Sequence, residues 1–155
     1  MPSEGATLIL SFYAIGEIFI NMTKNNAITE LINDFSYFDG WEDKYAYLIE
    51  LGDKLPDFPE KYMTDEYFVP GCVSKVWMVP SFDGDTFNFI ASSNGDITKG
   101  MIYILYLAYN AQDRADIADI NIEGIFDDLG LSKNITPQRR NGFYAMVQKI
   151  KSFAA

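Results

Sequence analysis

The chain has 155 residues, 48% hydrophobic and 15% aromatic, enough for one domain with a sizeable core and too apolar for a disordered chain. Its formal charge of −10 argues against nucleic acid, which needs a basic face, and against anionic membrane surfaces; it keeps the chain soluble or steers it to a basic partner patch. The absence of histidine and the presence of one cysteine, Cys72, exclude histidine bases and ligands, internal disulfides, CxxC redox pairs and cysteine-rich zinc or iron–sulfur sites.

In chain order, residues 1–26 read as an extension. The apolar run Ala6–Ile20 is interrupted by Glu17, too short for a comfortable membrane span and without the basic flank of a signal peptide. Met22 opens a stretch that resembles an ordinary protein start, so an upstream start codon is expected, with an uncleaved anchor or a core-packing helix as alternatives. A single domain is expected over 27–155. Helical spacing of Ile28, Leu31, Ile32 and Phe35 predicts a first helix from Ala27 to Phe38, with Thr29 as a cap. Asp39-Gly40 breaks it. Trp41–Lys54 reads as a second helix burying Tyr45, Leu48 and Ile49, paired with the first as a hairpin.

Leu55–Pro70 holds three prolines and reads as a surface loop with Phe58, Tyr62 and Phe68 tucked inward. Val73–Ser81 alternates as a strand, Asp83-Gly84-Asp85 turns, and Thr86–Ala91 places Phe87, Phe89 and Ala91 on one face of a β-hairpin. Asp96 caps an expected core helix, Ile97–Tyr109, apolar on nearly every side; Gly100 in its first turn implies close approach of another backbone. Short helices follow at Arg114–Ile117 and Glu123–Leu129, the latter closed by Gly130. Thr136-Pro137 starts a last helix to about Phe153, burying Phe143, Met146, Val147 and Ile150. The expected fold class is α+β, a small antiparallel sheet covered by helices.

The chemistry centres on Cys72, which follows Pro70-Gly71 where a tight loop enters a strand. A lone cysteine is commonly a small buried hydrophobe. A loop position presents it instead, and Lys75, Arg139 or Arg140 are available cations to favour the thiolate. Without a second cysteine no intramolecular redox cycle runs, and the lack of a histidine base argues against a hydrolytic cysteine enzyme. A thiol that receives a group from another protein and passes it on remains, beside a purely structural Cys72. Arg139 and Arg140 sit in a first helical turn, against the helix dipole, where structural salt bridges are the expected reason. The acidic series from Asp113 to Asp128 lacks the spacing of a calcium loop, and 95–100 lacks a phosphate-loop pattern.

Four stretches in order, WEDKYAYLIELGDKLP (Trp41–Pro56), VPGCVSKVW (Val69–Trp77), S-x-x-D-I-T-K-G (Ser93–Gly100) and ITPQRRNGFYAM (Ile135–Met146), resemble the SufE family over about 28–153. A single thiol without a secretion signal fits a reducing cytoplasm, and the resemblance implies a sulfur acceptor with an α+β fold shared with IscU-type scaffolds. It implies a SufS-type cysteine desulfurase as partner, carrying pyridoxal phosphate, and no cofactor on this chain. Sulfur would pass from the desulfurase persulfide to Cys72 and on to an iron–sulfur scaffold complex of SufB type, the desulfurase being stimulated. The family's acceptor cysteine falls on Cys72 and its docking arginine on Arg139, with Gly71 and Ser74 beside the thiol as partner-facing positions. The other reading is a non-catalytic module that activates a partner enzyme, Cys72 being structural. The chain departs from the usual pattern at Val73 and Lys75, where glutamines are usual, and at Ser92 and Asn94, where acidic residues are usual. A persulfide needs shelter from reductants, so Cys72 is expected to be partly buried until a partner docks.

Overall fold

The computed structural model describes residues 26–155; residues 1–25 of the expected extension lie outside them. Residues 26–36 are helical (α1), so Thr29 lies inside the helix rather than at its cap. Leu31 and Phe35 face the core as their spacing requires. Helix α2 (Trp41–Gly52) runs back beside α1. Phe35 and Phe38 pack against Tyr47, whose hydroxyl donates to Asp34 Oδ2 at 3.1 Å. Burial and that acceptor both push the Tyr47 pKa up. The buried stripe of α2 is Leu48, Leu51 and Gly52; Ile49, expected inside, is 39% exposed.

The proline-rich connection folds into two short 3-10 turns, Glu60–Tyr62 and Asp65–Tyr67. Phe58 and Tyr62 are half-buried, whereas Phe68 is exposed and contributes a backbone bridge to Trp77. Strands β1 (Val76–Asp83) and β2 (Thr86–Ser93) pair antiparallel, Asp83 opposite Thr86 across a two-residue turn. Gly84, at φ +59°, supplies the left-handed position this hairpin turn needs. Val76, Met78, Phe87, Phe89 and Ala91 form the buried face. A two-residue strand β3 (Gln112–Asp113) extends the sheet in the order β1-β2-β3. The α+β architecture is as expected from the pattern of elements.

Helix α3 (Asp96–Tyr109) is the centre of the core, with Ile102, Ile104 and Leu105 fully buried against α2, β2 and the last helix. Each such side chain contributes about 1.5–3 kcal/mol of burial. Asp96 is the first helical residue and Gly95 the cap, one position earlier than expected, and no side chain caps this end. Helix α4 (Ile122–Asp128) closes with Gly130 N–H donating to Asp127 O and Leu131 N–H to Phe126 O. Helix α5 (Pro137–Ala154) begins as expected, Thr136 Oγ1 accepting from Arg139 N–H with Pro137 at the first position. Among the described residues no helix is long and apolar enough to cross a membrane.

The closest approach in the core is between α2 and α3. A Cβ at Gly100 would sit 2.1 Å from the Leu48 carbonyl oxygen, and one at Gly52 2.7 Å from Lys99 Cβ. Because the obstacle at Gly100 is backbone, no rotamer change relieves it and the helices must separate. Gly100→Ala is therefore expected to destabilise by about 3 kcal/mol, the upper end of overpacking. Urea denaturation at unchanged m-value reads this, and a loss under about 0.5 kcal/mol would show that the two helices are not held at contact distance. Tyr109 is fully buried with its hydroxyl unpaired among the described residues, and burial pushes its pKa up to about 12. Tyr109→Phe removes the unpaired group and is expected to raise stability by about 1 kcal/mol, seen as a higher denaturation midpoint.

Candidate functional site

The loop carrying Cys72 is pinched at its neck. Val69 N–H donates to Val76 O at 2.8 Å, Lys75 N–H donates to Asn94 Oδ1 at 2.9 Å, and Asn94 N–H returns a bond to Lys75 O at 3.3 Å. Because the Asn94 side chain takes the place of a ladder partner, β1 starts only at Val76 and residues 73–75 belong to the loop, not to the strand expected from their alternation. Gly71 turns the chain at φ +94°, a conformation that a side chain resists. The loop then lies on α5 where that helix is thin. A Cβ at Gly71 would lie 3.3 Å from Ala145 Cβ, and one at Gly142 3.4 Å from Cys72 Sγ.

Cys72 is half-buried and lines a cavity of about 540 Å³, its Sγ–H donating to the Gly142 carbonyl at 3.5 Å. The rim combines the first turns of α3 and α5 with Ile49 of α2, and Ser74 and Arg139 line it with the cysteine. Three of the four expected site residues thus meet: Cys72, Ser74 and Arg139. Gly71 stands behind them as the turn that aims the loop. Ser74 seats against Gly95, where a Cβ would come within 2.9 Å of Ser74 Cβ. Val73 is 77% exposed, which turns its apolar side chain to solvent beside the thiol.

The two arginines part company. Arg139 is half-exposed at the cavity with its guanidinium 5.6 Å from the Tyr45 ring centroid, while Arg140 points away and donates to Ser132 O at 2.9 Å. Aromatic and carbonyl partners thus take the place of the salt bridges expected for them. Two helix N-termini facing the cavity favour an anion, but only by roughly 0.3–1 kcal/mol each near solvent. Burial acts the other way and prevails: it pushes the Cys72 thiol pKa up. The Gly142 carbonyl, an acceptor, also favours the protonated form. The resting thiol is therefore sheltered and held toward its protonated form, and burial outweighs the cations, Lys75, Arg139 or Arg140, that the sequence made available to it. Sequence reading missed Ile49, Tyr45 and Gly142 as parts of this region; a glycine inside a helix that otherwise reads without a break was the available signal for the last.

A family model described as the SufE Fe-S metabolism associated domain matches residues 29–154. An uncharacterized SufE-like protein of Rhizobium etli is 39% identical over 132 residues, covering 83% of this chain and 89% of that protein. The cysteine desulfuration protein SufE of Wigglesworthia glossinidia brevipalpis is 33% identical over 124 residues, covering 79% and 86%. The solution structure of a hypothetical protein from Thermus thermophilus superposes with a TM-score of 0.64 at 16% identity, over 82% of this chain and 92% of that one, and so shares the fold.

Alkylation of Cys72 across pH tests the sheltered thiol. The folded chain is expected to reach half-maximal rate at higher pH than the urea-denatured chain, because burial raises the folded pKa. The sign for stability follows: the thiol's contribution is full below the unfolded pKa and falls as pH rises through the folded one. Asn94→Ala, which frees the loop neck, is expected to speed alkylation several-fold at fixed pH by raising the open population. Equal profiles for folded and denatured chains would contradict the burial.

Proposed function

The chain belongs to the SufE family of Fe-S metabolism, and on that premise we propose that Cys72 is a persulfide acceptor serving a cysteine desulfurase. The observation that carries the reading is the placement of the only thiol in the chain on a pinched loop, half-buried in a cavity that it shares with Ser74 and Arg139. The Cys72 thiolate attacks the outer sulfur of the partner's cysteine persulfide. The donor S–S bond breaks as the new one forms on Cys72, and the donor cysteine leaves as thiolate. The proton lost by Cys72 balances the one that the leaving thiolate takes up. No net oxidation occurs, and no histidine is needed, because thiolate-on-sulfur attack requires only a deprotonated nucleophile.

The partner, a SufS-type enzyme with pyridoxal phosphate, releases sulfur from cysteine; this chain relays it to a SufB-type scaffold complex. Ser74 and Arg139 face the docking enzyme, and Gly71 serves the docking as the turn that aims the loop. The raised thiol pKa supports a division of labour in which the partner opens the loop and so activates the nucleophile that it will load. It also fits the competing reading, a binding module with a structural Cys72 that stimulates the enzyme without carrying sulfur.

Incubation with a cysteine desulfurase and cysteine separates the two. A gain of about 32 Da on Cys72, one sulfur atom, removed by a reducing agent, is expected of the acceptor. Cys72→Ser is expected to lose both the adduct and the stimulation of the enzyme. Full stimulation by Cys72→Ser would overturn the relay and leave the binding module.

A further inference from the structure

The chain has three arginines, and the fold uses two of them as braces. Arg114 donates from Nε to Ala154 O at 3.0 Å and from Nη2 to Ala155 O at 2.9 Å, and lies over the Phe82 ring. Arg140 donates to the carbonyl of Ser132. Arg139 differs. Its backbone N–H bonds the Thr136 cap, but among the described residues no acceptor takes a hydrogen bond from its guanidinium, which rests against the Tyr45 ring. A guanidinium attracted to a ring without engaging an acceptor keeps its fork of N–H donors available.

Tyr45 is itself held from two sides. Its hydroxyl donates to the Asn134 carbonyl, two residues before the Thr136 cap, so it ties α2 to the turn from which Arg139 projects. Its ring meets Trp41, one helical turn earlier, edge-to-face at 5.5 Å, and Trp41 is 51% exposed. An exposed tryptophan and a fixed tyrosine thus lead to Arg139, which lines the Cys72 cavity and whose guanidinium donors are unpaired among the described residues. We propose that Tyr45 is a positioning residue: it holds Arg139 beside the cavity with its donors ready for a carboxylate of the docking desulfurase, Trp41 extending the contact. The inference rests on the sulfur-acceptor reading and deepens it, by naming what orients the docking cation and what chemistry that cation meets. A carboxylate is the fitting acceptor because the guanidinium fork matches its two oxygens, and because holding the long side chain removes in advance the rotamer freedom that docking would otherwise cost.

Titrating the full chain into a cysteine desulfurase reads the half-saturating concentration separately from the limiting stimulation. Tyr45→Leu, which removes the ring face, is expected to raise the former about tenfold and leave the latter within about twofold, the pattern of weakened docking. Tyr45→Phe keeps the ring and is expected to stay within about threefold of the unchanged chain. The double variant with Arg139→Ala is expected to be no weaker than Arg139→Ala alone, since Tyr45 acts through Arg139. An unshifted Tyr45→Leu, or fully additive effects in the double variant, would overturn the proposal. Should Tyr45→Leu fail to fold, the unchanged chain still decides it by NMR. Ring-current shifts are expected on the Arg139 side-chain protons and not on those of Arg140, and their absence overturns the proposal. If the unchanged chain gives no saturable stimulation, the acceptor reading falls and takes this inference with it. Saturable stimulation with an indifferent Tyr45 removes this inference alone.

Discussion

The crossing of α2 and α3 at backbone contact sets the geometry on which the site depends. Gly100 lies under the Leu48 carbonyl and Gly52 against Lys99, so the two helices approach more closely than any side chain at those positions allows. That spacing brings the outer face of α2 to the same side of the molecule as the first turn of α3. Ile49 consequently lines the Cys72 cavity, and Tyr45 reaches across to Asn134 before α5 and to Arg139 in its first turn. Were the crossing a few ångströms wider, the core stripe of Leu48 and Leu51 would still find apolar neighbours, but the cavity would lose a wall.

A second consequence concerns protonation. Opposed influences act at the Cys72 sulfur: helix N-termini at the cavity favour the thiolate, and burial and a carbonyl acceptor disfavour it. The resultant is an elevated thiol pKa, because desolvation acts on the whole charge whereas the dipoles act weakly at a partly open cavity. Such a thiol is poor at reacting with whatever diffuses past. Such shelter matters in a protein that has no other cysteine to repair an adventitious oxidation.

Much of this was legible in the chain itself. The hairpin from Val76 to Ser93 announced itself through alternation and an Asp-Gly-Asp turn, and the start of α5 through Thr136-Pro137, because in both cases the determinants are local. Ile49 was misread because helical spacing reports a stripe but not its width, and α3 covers only the Leu48–Leu51 side. The strand was begun too early because Val73 and Lys75 alternate correctly, while the Asn94 side chain that ends the ladder is nineteen residues away. The roles of Arg139 and Arg140 could not be separated from sequence at all. Adjacent residues on a helix point about 100° apart, and only the surroundings decide which one meets a ring and which a carbonyl.

The amino-acid sequence by itself determined which chemistries are excluded and which family the chain belongs to. One thiol and no histidine remove histidine-based and paired-cysteine chemistry, and four motifs in order point to the family; composition and local pattern suffice because they are properties of the chain. Tertiary structure alone decided that the thiol is half-buried against the Gly142 carbonyl, that Ser74 and Arg139 line its cavity while Arg140 does not, and that the Arg139 guanidinium lies over the Tyr45 ring. Burial, field and contact across seventy residues of separation are properties of the packed molecule, set by how closely α2, α3 and α5 approach one another.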